Sequence, residues 1–252
     1  MLSNLILACV LLLELYTLHK LRAAHLMLYE LRDSSRTAAT ADFRQMEALI
    51  GLYAELDLHA SLPATRGWAA SPDFLLQLAT HAISHRPHCM VECSSGISTL
   101  VLARCAQRNG FGKVLSLEHE PHYAEQTRKE LARHGLSAWA EVIDAPLHPH
   151  RLGGEDWPWY RARLPVAEID LLVIDGPPQA TREMARYPAG PLLFPRLSAD
   201  ATVFLDDAAR SGEQAILRRW QSEFPHLLQA SRPCERGCAV LTSAALDRDD
   251  SA

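Results

Sequence analysis

From Leu5 to Leu13 almost every position is apolar, and Leu18, Leu21, Leu28 and Leu31 continue the pattern at spacings of three and seven residues. This periodicity predicts a helix from the first residues onward, over 1–36. "DSSRTAATAD" then reads as a small polar linker. Phe43, Met46, Ile50, Tyr53 and Leu56 recur every three or four residues and predict a separate amphipathic helix within 37–61. "SLPATRGWAASP" interrupts the period with Pro63, Gly67 and Pro72. The main domain is expected over 62–244, with 245–252 as a polar tail.

Within that domain, helical periods alternate with short apolar runs. Ser71 and Pro72 supply an N-cap and a first-turn proline for a helix to about Ser84. "HCMVEC" is a strand, and Ile97 to about Arg108 a helix closed by Asn109 and Gly110. "KVLSLE" is a second strand, followed by a helix that Pro121 opens and Gly135 closes. "WAEVID", "IDLLVID" and "ATVFLD" are the third to fifth strands, with an irregular Trp-, Pro- and Gly-rich stretch after the third and a helical stretch near Thr181 to Leu197. A helix from Gly212 to Phe224 leads into "HLLQAS" and "GCAVLT", an antiparallel pair. Apolar strands separated by helices imply an α/β, doubly wound, mostly parallel sheet.

In such sheets ligands bind beyond the carboxyl ends of the strands. Those ends hold Glu92 to Ser95, Glu118 with His119, Asp144, Asp175 with Gly176, and Asp206 with Asp207. A single surface acid is ordinarily just solvated, but here each of the first five strands ends in a carboxylate.

Composition narrows the choices. A net charge of -5 supplies no basic field for nucleic acid. Six scattered cysteines make no disulfide framework and read as reduced thiols; Cys234 and Cys238 in "PCERGC" resemble half a zinc site, but no second pair matches them. "HPH" at His148 to His150 and "HRPH" at His85 to His88 read as solvated loops. The apolar start lacks the leading charges of a secretory signal, and Lys20, Arg22, Arg32 and Arg36 follow it. Residues 2–18 are therefore expected to anchor the chain at a membrane, with a cytoplasmic catalytic domain at its inner face. The competing reading is a long helix packed on a partner.

"VECSSGIST", from Val91 to Thr99, runs from strand into helix through tiny residues, and Glu118 lies twenty-two residues beyond Gly96. That invites a dinucleotide site, yet only one of its glycines is present. Glu92 would also face the pyrophosphate, a repulsion of about 3 kcal/mol at about 5 Å and an effective dielectric near 20. A donor with ribose, adenine and a cationic amino-acid head avoids that cost, and S-adenosylmethionine is such a molecule.

"VECSSGISTLVLAR", "VLSLEHEPHYAEQTRKEL", "VIDAPL", "DLLVIDGPP" and "ATVFLDDAAR" together resemble successive motifs of the class I S-adenosylmethionine-dependent methyltransferases, over about Leu62 to Thr242. The resemblance implies a seven-stranded Rossmann-like sheet with a reversed last strand, here preceded by an N-terminal helical extension. It implies that Glu92, Cys93, Ser94, Ser95 and Gly96 wrap the methionine part of the donor, with Ser98 and Thr99 opening the next helix. It further implies Glu118 at the ribose, His119 beside the adenine, and Asp144 with Ala145 at the adenine edge. Ser94 departs from the family, which has glycine there; a positive φ would strain it.

Methyl transfer from a sulfonium chiefly needs orientation and exclusion of water, and an oxygen or nitrogen acceptor also needs a base. Asp175, Asp206 and Asp207 are the catalytic candidates, with Asp175 also touching the donor. In relatives similar to catechol O-methyltransferase such acids hold a divalent cation. Here no metal ligand is assigned, since Asp206 could cap the next helix and Asp207 pair with Arg210. Arg66, Gly67 and Trp68 are expected over the donor, with packing the competing reading for Trp68; Tyr187 is expected on the acceptor side, and Glu155 to Pro165 as a lid or acceptor-binding element. The acceptor is expected to be a small molecule. The alternatives are a membrane-tethered scaffold without chemistry and a nicotinamide-dependent oxidoreductase.

Overall fold

A computed structural model describes residues 1–243; the expected polar tail, 245–252, lies outside them. The chain divides into two compact units, Met1–Met46 and Glu47–Ala252.

Helix α1 runs unbroken over Leu2–Leu56. The expected linker is thus helical, and the amphipathic stretch from Phe43 is the end of the same helix. The reason is local: no proline interrupts it, its first glycine is Gly51, and Ala, Arg and Leu dominate. The side chains of Leu2 to Leu31 along it are exposed, whereas Leu52 and Leu56 are buried in the main domain's core.

The domain's elements follow the alternation closely: α2 (Pro72–His85), β1 (Cys89–Cys93), α3 (Ile97–Asn109), β2 (Lys113–Glu118), α4 (Pro121–Arg133) and β3 (Ala140–Asp144). Where an irregular stretch was expected, β4 (Leu147–Leu152) and β5 (Glu155–Tyr160) form a separate antiparallel hairpin. Gly153 (φ 59°) and Gly154 (φ 88°) make its two-residue turn, a geometry glycine adopts freely. "HPH" is accordingly not a loop: His148 pairs with Trp159 and His150 with Trp157, and both indoles are buried.

Then come β6 (Ile169–Ile174), a short α5 (Ala189–Leu193), β7 (Leu197–Asp206), α6 (Ser211–Glu223), β8 (Leu227–Arg232) and β9 (Cys238–Ser243). The helical stretch expected near 181–197 is reduced to single turns, because Pro188, Pro191 and Pro195 remove backbone donors.

The main sheet has seven strands in the order β3-β2-β1-β6-β7-β9-β8. β1, β2, β3, β6 and β7 run parallel, and β9 is antiparallel to both its neighbours. Order reverses between β1 and β6, which opens the ligand crevice at their carboxyl ends. One sheet face packs on α2 and α3 through Met90, Leu100 and Val114; the other buries Val91, Leu117, Tyr160 and Trp220.

Candidate active site

The turn after β1 is built from the inside outward. Period two along β1 puts Glu92 on the same face as Met90, level with Ser116 of β2, which is its register partner. There Glu92 is fully buried and accepts from Thr99 Oγ1 at 2.5 Å and Ser116 Oγ at 2.7 Å. Thr99 Oγ1 in turn accepts from the backbone N–H of Gly96 at 3.0 Å. Glu92 therefore secures the turn through Thr99 and lines neither cavity described below. Burial pushes its pKa up, against the hydrogen bonds of Ser98, Thr99 and Ser116. The expected direct contact with a cationic head group is not what this geometry provides.

Ser94 has φ +110°, and Gly96 φ +155°. Ser94 thus stands in the strained conformation that a glycine relieves, a cost of about 1–3 kcal/mol. The turn keeps it because the Ser94 N–H bonds Leu117 O at 2.9 Å and its side chain packs beside Gly176.

Glu118, 4 % exposed, takes four donors: Ser95 N and Oγ on one oxygen, His119 N and Glu120 N on the other, all at 2.9–3.0 Å. Burial works to raise its pKa, but these bonds and His119 prevail and hold it below the usual carboxylate range.

Two adjoining cavities lie over these strand ends. The smaller, of about 210 Å³, is lined by Ser94 to Ser98, Thr127, Trp68 and Asp175. The larger, of about 550 Å³, is lined by Ser94, Ser95, Glu118, His119, Tyr160, Asp175, Gly176, Arg186, Asp207, Arg210 and Arg236. Trp68, 90 % exposed, borders both. That segment is strapped by the β8–β9 loop: Arg66 pairs with Glu235 at 2.6 Å, and Arg236 donates to Gly67 O and Ala69 O.

Several expected residues fall outside the cavities. Cys93 and Ala145 are fully buried; Asp144 is exposed and held by Arg128 at 2.8 Å. Thr99 is buried behind the turn. Tyr187 is a packing residue, its hydroxyl on Glu223 and its ring 4.8 Å from Trp157. Of the stretch Glu155 to Pro165, the first six residues form β5, and Arg161 to Pro165 follow the hairpin.

Asp175, Asp206 and Asp207 converge, one oxygen of each lying within 4.8 Å of the others. At their centre stands Arg186, which the sequence patterns did not single out. It is 3 % exposed and donates to Asp175 Oδ1 (3.0 Å), Asp207 Oδ2 (2.8 Å), Asp175 O (2.9 Å) and Asp206 O (2.9 Å). Asp207 also pairs with Arg210 at 2.8 Å, as anticipated. Asp206 does not cap the next helix: among the described residues both its oxygens are buried without a hydrogen-bond partner, and so is Asp207 Oδ1. Burial, with Asp207 nearby and against the pull of Arg186, pushes Asp175 up to about 6. Burial, with Asp175 and Asp207 nearby, pushes Asp206 up to about 7.

Comparison with known proteins agrees with this geometry. A family model described as a methyltransferase domain matches residues 91–208. No curated protein sequence matches the chain. Among solved structures, the Podospora anserina methyltransferase PaMTH1, bound to S-adenosylhomocysteine, is 15% identical with a TM-score of 0.57, over 82% of this chain and 95% of its own. A Geobacter sulfurreducens methyltransferase is 16% identical with a TM-score of 0.53, over 83% and 96%. The Streptomyces achromogenes O-methyltransferase TomG, in complex with S-adenosylmethionine, is 16% identical with a TM-score of 0.51, over 79% and 88%. With the matched methyltransferase domain, the seven-stranded order and the crevice between β1 and β6, the chain has the fold of the class I S-adenosylmethionine-dependent methyltransferases.

Proposed function

We propose that this enzyme moves the methyl group of S-adenosylmethionine to an oxygen or nitrogen of a small-molecule acceptor, with Asp175 as the base. One observation carries this: Asp175 is the carboxylate that borders both cavities, with a pKa raised to about 6. A base so tuned is ionised at neutral pH yet still has useful affinity for a proton. Ser94 to Gly96, Ser98 and Glu118 form the donor side, Glu92 and Thr99 hold that turn in shape, and Asp207 with Arg186 fixes Asp175. The chain's own contribution is orientation, exclusion of water by Trp68 and its strap, and acceptance of one proton at Asp175. Asp175→Asn tests the assignment by labelled-methyl transfer into cell extract. Transfer should fall about 10²-fold or more with donor affinity little changed; undiminished transfer would remove Asp175 from the role.

A divalent cation is a second reading, favoured by the orphaned oxygens of Asp206 and Asp207 beside Asp175. These three carboxylates suit a hard cation, which would orient an acceptor hydroxyl and lower its pKa. Arg186, Arg210 and Arg236 already neutralise part of the cluster. Activity indifferent to a chelator would dismiss the cation.

Residues 2–18 are proposed to anchor the enzyme at a membrane, with its catalytic domain on the cytoplasmic side. In support, α1 contains an 18-residue window of mean hydropathy 1.7 that is wholly exposed and near the N-terminus. A helix of that length and composition can cross a membrane. Fractionation of cells expressing the full chain tests this, and recovery wholly in the soluble fraction contradicts it.

A further inference from the structure

Tyr160, the last residue of β5, borders the larger cavity and has no part in the mechanism above. It is 4 % exposed, and among the described residues its hydroxyl has no hydrogen-bond partner. Space for that hydroxyl exists because residue 176 is glycine: a Cβ there would stand 2.3 Å from Tyr160 Oη. The ring is held from two sides, edge-on to His119 at 6.1 Å and to Trp159 at 5.0 Å between centroids. The hydroxyl is thereby fixed beside Gly176, at the point where the sheet's order reverses, with Glu118 and His119 across the cavity wall.

A buried O–H without a partner is costly, and such groups persist where a ligand completes them. Burial, with Cys93 and Glu118 nearby, pushes the phenol well above its ordinary pKa, so it keeps its proton. The neighbouring Glu118 is an acceptor only, and its four sites are already engaged by protein donors. A ribose hydroxyl arriving there can displace Ser95 Oγ as donor, but its own oxygen then needs an N–H or O–H.

We propose that Tyr160 is that donor: its O–H bonds a ribose hydroxyl oxygen of bound S-adenosylmethionine, so that Glu118 and Tyr160 grip the sugar from complementary sides. The inference rests on the reading of the Glu118 side of the cavity as the ribose site.

Tyr160→Phe in the full chain tests it, with two readouts. The ligand-free variant should melt at the wild-type temperature or above, since an unsatisfied O–H is removed. Its affinity for S-adenosylhomocysteine, by calorimetry, should fall about three- to tenfold. With ribose-deoxy analogues of that ligand, one of the two should bind wild type and Tyr160→Phe alike. Gly176→Ala should lower the melting temperature by driving a Cβ into the hydroxyl, and combining it with Tyr160→Phe should restore part of that stability, the Cβ still crowding Ser94 and Cys93 O, but not affinity. Unchanged affinity in Tyr160→Phe, or a lowered ligand-free melting temperature, makes Tyr160 a packing residue and overturns the proposal. Equal weakening with both deoxy analogues also overturns it. Wild-type protein that binds no S-adenosylhomocysteine would instead fail the ribose-site reading beneath it.

Discussion

Glu118 and Asp206 are both carboxylates at strand ends of one sheet, 4 % and 1 % exposed, yet they are driven in opposite directions. Glu118 receives four hydrogen bonds and its pKa falls; Asp206, buried beside Asp175 and Asp207 without such a set of donors, rises to about 7. Burial therefore does not decide the charge of a carboxylate in this crevice; the donors around it do. The β1–β2 half is a finished, anionic seat. The β6–β7 half holds excess acid that Arg186, Arg210 and Arg236 neutralise only in part, the setting proposed above for proton transfer.

The largest expected effect comes from breaking that half. Arg186→Gln leaves Asp175 and Asp207 with an uncompensated buried charge, and unfolding by urea should show a loss of about 3–5 kcal/mol. A loss below 1 kcal/mol would mean that Arg210 and Arg236 suffice. Next in size is pH. Asp175 and Asp206 have raised pKa values, so their contribution to stability is full below the unfolded value near 4 and is lost as pH rises through about 6 to 7. Stability should thus decline over that window, while transfer rises as the base ionises. Asp206→Asn should flatten the upper part of the stability decline; a profile unchanged from wild type would contradict the shift. In the finished half the effects are smaller. Ser94→Gly should gain up to about 1 kcal/mol by relieving φ +110°. A loss would show that the Ser94 side chain matters more than its backbone.

The order of strands and helices was legible because apolar runs and helical periods alternate so cleanly, and Pro121, Asn109 and Gly135 mark the ends. The convergence of strand-end acids was also legible, since topology alone brings them to one edge. The β4–β5 hairpin was missed although Gly153-Gly154 announced it, because His, Pro and Trp disguised the alternation. The continuity of α1 was missed because Ser and Thr in "DSSRTAATAD" read as a break, while helix propensity there was adequate. Arg186 left no local signal: it lies eleven residues beyond Asp175 in a proline-rich segment, and only the folded chain returns its guanidinium to the cluster. Glu92 shows the converse limit. Its place in the motif was plain, but the pleat of β1 turns it inward to Thr99 rather than toward a ligand.

S-adenosylmethionine is proposed to sit in the crevice between β1 and β6, on the preformed Glu118 half. Calorimetric titration of the full chain with S-adenosylmethionine, alongside NAD, tests it most directly. One-site binding of S-adenosylmethionine, at least about tenfold weaker in Glu118→Ala, and no binding of NAD are expected. Absence of S-adenosylmethionine binding, or preferential binding of NAD, would contradict it.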